Sequence, residues 1–303
     1  MRSDMDDRIY ENYKLAGKIA AEARRYGANL IKSGVSFLEV ANSVESKILD
    51  SGAGLAFPVN ISVNEIAAHY TPRHNDALVF KKGDVVKLDL GAHIDGYIAD
   101  TAITVEVETN NYKDMIKASS DALDAAINLM KAGVNLFEVG KTVQETIMSY
   151  GYKPIDNLTG HSMQRYLIHA GISVPSVLDK SHNTKPKVGD VLAIEPFATN
   201  GAGHVISREG SNIYLCKKSF NPRIIRDKRV KTIFGKMKNE FKTLPFAQRW
   251  LESFFSNSDI VLRKLSFLGL IKHYPQLVDA KKGIVTQREH TVILTEEGCE
   301  VIT

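Results

Sequence analysis

Five side chains with metal-binding chemistry stand inside or beside apolar runs of this chain: Asp89, Asp100, His161, Glu195 and Glu289. A carboxylate that is buried without a partner loses several kcal/mol to desolvation, so each position needs an explanation. One shared site explains them more simply than five separate ones. Carboxylate and imidazole ligands without a thiolate suit Mn²⁺, Fe²⁺, Co²⁺ or Zn²⁺. The set is therefore a candidate for the ligands of two divalent metal ions.

The first two ligands belong to a predicted hairpin. Two alternating apolar stretches flank Asp95 and Gly96, a dipeptide that suits a tight turn. With that turn, Gly91 pairs with Asp100, and Asp89 lies on the same face as Asp100. The two acids are then diagonal neighbours roughly 7–8 Å apart at the backbone. This spacing suits two ions about 3.5–4 Å apart. Taken alone, the hairpin also fits an ordinary solvated sheet face.

The other three ligands have weaker local signals. His161 follows a glycine that would let the backbone approach a ligand, although a structural histidine fits as well. Glu195 lies between apolar residues that predict a buried strand, which is unusual for a solvated acid. Glu289 follows Arg288, and a surface salt bridge between the two is the simple alternative.

Length and composition are typical of a soluble cytoplasmic enzyme. A chain of 303 residues can bury a large core, as one large domain or two. The sequence has no membrane-spanning apolar run, and its first residues lack the apolar core of a signal peptide. Cys216 and Cys299 show no metal-type spacing and are expected to be plain thiols. Neither a membrane nor DNA is expected as a partner.

The sequence contains an internal repeat, because the pattern of residues 32–40 returns at 131–139. Each copy predicts a helix, with Ser36 or Asn135 as its N-cap and a glycine at its end. A long helix precedes each copy and strands follow it. The repeat predicts an α+β fold of two similar halves related by a pseudo-twofold axis, with a site between them.

The expected organisation is one catalytic domain with an insertion. The N-terminal half covers about 1–110, and the C-terminal half covers about 111–219 plus 275–303. Residues 220–274 have no counterpart in the first half and show helical spacing, which predicts an inserted helical subdomain.

The beginning of the insertion and the residues just before it are rich in basic side chains: Lys217, Lys218, Arg223, Arg226, Lys228, Arg229, Lys231, Lys236, Lys238 and Lys242. A solvated helix face accounts for this pattern. An electrostatic contact with RNA, near the ribosome, also accounts for it.

The chain resembles the methionine aminopeptidases over nearly its whole length, and specifically their type 2 branch without a long N-terminal extension. The resemblance rests on six motifs, at 67–72, 95–102, 160–162, 168–171, 194–197 and 289–291. The helical insertion between the two glutamate motifs is typical of type 2. The implied fold is the pita-bread fold, whose two related halves agree with the repeat.

The resemblance implies a hydrolase that removes the initiator methionine from nascent proteins and peptides with a small second residue. Hydroxide activated by two divalent ions (Co, Mn, Fe or Zn) would be the nucleophile. By resemblance, Asp100 and Glu289 bridge both ions and Asp89 holds one of them through both oxygens. His161 and Glu195 would bind the other ion.

The resemblance also implies roles for residues around the ions. Glu195 would take the proton of the water, His69 would lie near the leaving nitrogen, and His169 near the carbonyl oxygen. From the residues alone, both histidines fit buried structural positions equally well.

A methionine pocket is implied in the same way. Phe57 and Ile168 would line it, with His204 and Tyr274 at its edge. On the sequence alone, Phe57, Ile168 and Tyr274 fit ordinary core positions.

Two other functions remain open at this point. A proline-directed aminopeptidase of the same fold would share most ligands, but such enzymes usually carry a large extra N-terminal domain. A ribosome- or RNA-binding relative would normally have lost one or more of the five ligands, and all five are present here.

Overall fold

The two copies of the repeat form matching helices. The structure is a computed structural model that describes residues 5–181, 183–218, 225, 227–255 and 258–303. Its α-helices are α1 (Asp7–Leu30), α2 (Phe37–Asp50), α3 (Lys113–Leu129), α4 (Leu136–Ser149), α5 (Lys228–Phe241) and α6 (Ser258–Phe267). Helices α2 and α4 begin and end at equivalent positions of the two copies. None of the helices in the described part of the chain combines the length and apolar character that crossing a membrane requires.

The ends of these two helices differ in one detail. Ser36 caps α2, because its side chain accepts a hydrogen bond from the backbone N–H of Leu38. Asn135 is the N-cap residue of α4, as predicted, but its side chain makes no capping hydrogen bond. Gly52 and Gly151 follow the helices with φ of 82° and 80°, a left-handed conformation that glycine adopts without strain.

Sixteen strands are present among the described residues. They are β1 (Gly54–Leu55), β2 (Asn60–Val63), β3 (Ile66–Ala68), β4 (Val85–Ile94), β5 (Tyr97–Glu106), β6 (Lys153–Pro154), β7 (Thr159–Met163), β8 (Ser173–Pro175), β9 (Val191–Ile194), β10 (Phe197–Thr199), β11 (Val205–Cys216), β12 (Phe246–Ala247), β13 (Ile271–Asp279), β14 (Val285–Gln287), β15 (His290–Leu294) and β16 (Cys299–Val301).

Each half packs its helix pair on its own sheet. In the first half, α1 and α2 share a core with β4, which pairs with β1, β2 and β5. In the second half, α3 and α4 share a core with the sheet ordered β16-β15-β9-β7-β8. A bridge between Ala102 and Glu289 joins the two systems. The α+β fold class is confirmed.

The predicted hairpin of β4 and β5 is confirmed in its register. Gly91 pairs with Asp100 across it. Asp95 and Gly96 form the turn with φ of 50° and 86°, as a turn with two left-handed residues requires. Asp89 and Asp100 therefore lie on the same face of the sheet.

A third core belongs to the segment between β11 and β13. Helices α5 and α6, β12 and a 3₁₀ helix at Gln248–Ser253 pack on one another there. Strand β13 begins at Ile271, so the last residues of the predicted 220–274 insertion lie in a strand that pairs with β11. Residues 220–224 and 226, including Arg223 and Arg226, lie outside the described residues.

A buried ion pair anchors this segment to the first half. Arg249 contacts Glu45 of α2 through a guanidinium nitrogen and a carboxylate oxygen, and both side chains are buried. Glu45 also accepts hydrogen bonds from Trp250 Nε1 at 2.8 Å and from the backbone N–H of Val59 at 3.1 Å. The carboxylate is thus held by several donors, as a buried charge requires.

Candidate metal centre

All five predicted ligands line one cavity of about 60 Å³. Asp89 comes from β4, Asp100 from β5 and His161 from β7. Glu195 directly follows β9, and Glu289 lies between β14 and β15. The ligands thus come from strands of both halves and meet where the halves join. The predicted convergence of these residues is present in the structure.

Threonine hydroxyls hold the strands that carry two of these ligands. The backbone N–H of Asp100 donates to Thr291 Oγ1 at 2.8 Å, and the same hydroxyl donates to Asp100 O at 2.8 Å. Thr101 Oγ1 donates to the backbone oxygen of Glu289 at 2.9 Å. Asp100 and Glu289 are therefore fixed to each other across the join between the halves.

The ligand atoms lie close enough to surround a cation. One ligand atom from each of Asp100, His161 and Glu289 lies within 4.8 Å of the other two. His161 Nε2 is 3.6 Å from Asp100 Oδ2 and 3.6 Å from Glu195 Oε1. Such a group of oxygens and one imidazole nitrogen matches the donor set of transition-metal sites.

The four carboxylates destabilise one another as charged groups. Burial, the largest effect, raises the pKa of Asp89 to about 7. Burial and then the charge of Asp89 raise the pKa of Asp100 and of Glu195 well above the usual range. Burial and then the charge of Asp100 do the same to the pKa of Glu289. A bound cation would remove this repulsion.

Two unsatisfied atoms support the same interpretation. Asp89 Oδ1 and Asp100 Oδ1 are buried and have no hydrogen-bond partner. Most buried polar atoms in proteins have a partner, and a bound cation would supply one for both carboxylate oxygens. Burial also lowers the pKa of His161 to about 3, which leaves the imidazole neutral and able to bind a metal ion. The residues present fit a metal centre.

Two more histidines lie beside the ligands. The rings of His161 and His169 meet edge to face with centroids 4.5 Å apart. His69 has φ of 63°, a conformation that is uncommon for a residue with a side chain and that occurs often at functional sites. Burial, followed by the charge of His169, lowers the pKa of His69 to about 4. Burial and then Lys272 lower the pKa of His169, so both imidazoles are neutral at pH 7.

The other side of the cavity is largely apolar. Phe57, Ile168 and Tyr274 line it, together with Ile213 and Pro245. The ring of Tyr274 meets that of His69 edge to face with centroids 5.5 Å apart. A narrow apolar wall next to a polar centre suits a substrate with an uncharged side chain.

His204 is the one predicted site residue that does not line this cavity. Its side chain is exposed, and its Nδ1 lies 2.6 Å from Asp156 Oδ1. Its Nε2 is 3.4 Å from Asn157 Nδ2. Asn157 lines an adjoining cavity of about 380 Å³, which His69 and Glu195 also line. His204 therefore lies beside a residue that lines this second cavity.

Two polar residues of the site were not predicted. Gln287 is buried, and its Nε2 donates to Glu195 Oε2 at 3.4 Å and to Glu289 Oε2 at 3.3 Å. Its position two residues before Glu289, on the same strand face, is the signal that could have identified it. Asn60 pairs with Asp89 across β2 and β4, and no local signal in the sequence predicts that pairing.

A larger groove of about 720 Å³ lies between α2 and the α5–α6 segment. It adjoins the site at Pro245, which lines both, but it contains none of the five ligands. The chemistry of the site therefore belongs to the smaller cavity.

Comparison with known proteins places the chain among relatives of nearly equal length. The sequence-family model of metallopeptidase family M24 matches residues 11–235. The chain is 49% identical to the methionine aminopeptidase of Methanocaldococcus jannaschii, covering 97% of this chain and 98% of that protein. The structure of a thermophilic Arx1 has a TM-score of 0.84 at 17% identity, covering 98% of this chain and 91% of that one. A methionine aminopeptidase from Thermotoga maritima has a TM-score of 0.72 at 23% identity, covering 100% and 99%. These structures share the pita-bread fold with this chain.

Proposed function

The chain belongs to metallopeptidase family M24 as a methionine aminopeptidase, and we propose that it removes the initiator methionine from nascent proteins. The observation that carries this proposal is the convergence of five metal-binding side chains in one buried cavity. The N-terminal peptides of newly made proteins are then its substrates, and the cytoplasm is where it meets them.

Asp89, Asp100, His161, Glu195 and Glu289 would hold two divalent ions, of Co, Mn, Fe or Zn. Threonine contacts would keep two of these residues, Asp100 and Glu289, in place to hold the ions. When bound, the ions would polarise the substrate carbonyl and bring the pKa of a water molecule towards about 7.

Three side chains of the site, Glu195, His169 and His69, take part in the reaction in this proposal. Glu195 takes a proton from the attacking water and passes it to the leaving nitrogen. His169 donates a hydrogen bond to the carbonyl oxygen as that atom gains charge, and His69 faces the leaving amide nitrogen. The lowered pKa values of both histidines support these roles, because a neutral imidazole carries one N–H for donation and leaves no buried positive charge.

Phe57, Ile168 and Tyr274 form the methionine pocket in this proposal, with His204 at the outer edge of the site. A thioether has little need of hydrogen bonds, so an apolar wall suits it. The cavity that adjoins the ligands would receive the second residue of the substrate. The preference for a small second residue is part of this proposal and rests on the resemblance to methionine aminopeptidases.

We place the chain in the type 2 branch, because the segment between β11 and β13 is an insertion with its own helical core. The proline-directed alternative is not favoured, since full-length relatives at 44–49% identity are methionine aminopeptidases.

A peptidase assay tests the function directly. The protein is stripped of metal and then given Mn²⁺, Fe²⁺, Co²⁺ or Zn²⁺ in turn, with a short Met-Ala peptide as substrate. We expect metal-dependent release of methionine, which disappears with an acetylated amine. A folded protein that is inactive with every metal would contradict the proposal.

We further propose that the insertion contacts ribosomal RNA. Lys228, Arg229, Lys231 and Lys236 are exposed along α5, and their positive charge suits a phosphate backbone.

Ribosome co-sedimentation tests this contact at rising salt concentration. Charge reversal at Lys228, Arg229 and Lys231 should abolish binding at low salt while leaving cleavage of the Met-Ala peptide unchanged. No co-sedimentation of the unmodified protein at low salt would exclude the contact.

A further inference from the structure

Asn60 presents an unused hydrogen-bond acceptor to the metal cavity. It lies on β2 directly opposite Asp89 of β4, and its side chain lines the cavity while being only 3% exposed. Its Nδ2 donates to Asp89 Oδ2 at 3.3 Å. Its Oδ1 has no hydrogen-bond partner. Because most buried polar atoms in proteins are paired, this oxygen indicates a donor that arrives with a ligand.

The orientation of the Asn60 amide follows from its neighbour. The structure has the amide nitrogen of Asn60 3.3 Å from Asp89 Oδ2, and a carboxylate that holds a metal ion is ionised and only accepts hydrogen bonds. Exchanging the two amide atoms would place two acceptors against each other. The amide oxygen is therefore the atom that remains available to a ligand.

The substrate offers few donors that could reach this oxygen. A methionine side chain has none, since a thioether is only a weak acceptor. The first peptide nitrogen lies towards His69 in the proposed binding mode. The free α-amine is the remaining donor, and it must lie in the cavity if the first residue occupies the apolar wall beside the ligands.

We propose that Asn60 is a substrate-binding residue whose Oδ1 accepts a hydrogen bond from the free α-amine of the substrate. This inference rests on the proposed function of the site. Asn60 and Asp89 together then form the acceptor pair that selects an unblocked N-terminus. An acylated amine has one N–H fewer, so it cannot donate to both acceptors. Its bulky acyl group also does not fit the space in the cavity.

The test compares two ligands that differ only in the amine. These are L-methionine and 4-(methylsulfanyl)butanoic acid, the same acid without its amine. Their dissociation constants are measured by calorimetry on Mn²⁺-loaded protein, with metal content determined for every variant. The ratio of the two constants isolates the contribution of the amine from that of the rest of the ligand.

Three variants separate the roles of Asn60. Asn60→Leu removes both donor and acceptor, and Asn60→Ala replaces it if leucine prevents folding. Asn60→Asp keeps an acceptor oxygen but loses the donor to Asp89. Ser62→Ala is the matched control, because Ser62 lies on the same strand and has a buried unpaired hydroxyl, yet does not line the cavity.

We expect Asn60→Leu to weaken methionine binding about tenfold or more while the amine-free acid binds as before. Asn60→Asp should keep the preference for the amine and Ser62→Ala should behave as the unmodified protein, with every variant measured at saturating Mn²⁺ so that metal content is equal. An unchanged ratio in Asn60→Leu would overturn the inference. So would equal losses in the leucine and aspartate variants. If the unmodified protein itself shows no preference for methionine, the proposed function of the site fails instead.

Discussion

The four carboxylates of the cavity have few positive charges near them. Arg24 is a buried cation whose charge favours ionised Glu289, and it also contacts the hydroxyl of Thr101. Asn60 and Gln287, which donate to the carboxylates, are neutral amides, and the imidazole of His161 beside them is neutral as well. The protein therefore keeps a local excess of negative charge that a divalent cation can balance.

His169 should affect the rate of reaction more than the binding of metal. Replacement by alanine removes the hydrogen bond to the carbonyl oxygen, and such a donor typically contributes about 10²–10³-fold to kcat. We expect His169→Ala to lower kcat by this factor and to retain its metal, measured by steady-state kinetics and elemental analysis. His161→Ala is the comparison and should lose metal. Parallel loss of metal and activity in His169→Ala would contradict its separate role.

Tyr274 should affect substrate binding through its apolar ring. Tyr274→Ala removes part of the wall opposite the ligands, and we expect KM for a Met-Ala peptide to rise about tenfold with a smaller change in kcat. Tyr274→Phe keeps the ring and should retain a normal KM. Unchanged kinetics in the alanine variant would exclude Tyr274 from the pocket.

At the scale of elements, threonine side chains replace part of a backbone ladder between β5 and the β14–β15 region. Thr104 and Gln287 exchange hydrogen bonds of 2.7 and 2.8 Å in the same way as Thr291 and Asp100. Each hydroxyl both donates to and accepts from the opposite backbone. The two halves are thus joined by side chains where regular strand pairing is interrupted.

Thr291→Val keeps the shape of the side chain but removes the hydroxyl that holds Asp100. Two buried backbone groups then lack partners, so we expect the free energy of unfolding to fall by about 2 kcal/mol. Metal affinity should fall about tenfold or more, because groups that orient ligands have effects of that size. The control is Thr286→Val, whose hydroxyl binds Met115 O in α3. It should lose stability, as urea unfolding would show, and keep its metal affinity, as titration calorimetry would show.

Asp279 organises the loops at the end of β13. It accepts hydrogen bonds from the backbone of Ala202, Lys281 and Gly283 and from Thr199 Oγ1. Burial alone would raise the pKa of Asp279, but these donors together lower it. Its stabilising effect is therefore complete above its unfolded pKa of about 3.9, and it is lost as pH falls through the lower folded value.

Asp279→Asn should reduce the free energy of unfolding by about 2 kcal/mol at pH 7. The difference from the unmodified protein should begin to shrink as pH falls below about 3.9, because the unfolded carboxylate then binds a proton that the folded carboxylate, with its lowered pKa, does not yet bind. Urea unfolding across this pH range measures the difference in the free energy of unfolding. The titration of the metal ligands does not contribute to this difference, because both proteins contain the same ligands. A difference that stays constant down to pH 3 would contradict this account.

At the scale of the whole molecule, metal binding and folding are coupled. In the presence of EDTA at pH 8.5, Asp100→Asn should be more stable than the unmodified protein by about 1 kcal/mol, since it removes a buried carboxyl whose raised pKa costs stability above its unfolded pKa. With free metal at 100 times its dissociation constant the order should reverse, because binding stabilises the unmodified protein by about 2.7 kcal/mol. Urea unfolding with and without Mn²⁺ tests both of these expectations. The same order of stability in both conditions would argue against a metal centre.

The sequence predicted the local parts of this molecule better than its long-range contacts. The β4–β5 register follows from alternation around Asp95 and Gly96, and the repeat marks equivalent helices. By contrast, the pairing of Asn60 with Asp89 joins strands that are far apart in the chain, so no local pattern indicates it. The absence of a capping hydrogen bond from the Asn135 side chain depends on side-chain orientation, which residue type does not determine.

The spread of the ligands along the chain also has a consequence in time. Asp89 and Glu289 are separated by roughly 200 residues, which a ribosome adds in about 10–40 s at usual rates of synthesis. During that interval the emerging polypeptide carries the aspartate hairpin without its partners. Under the proposed set of ligands, a partly synthesised molecule therefore cannot cleave a substrate, and activity begins only when the second glutamate has left the ribosome and folded against the first half.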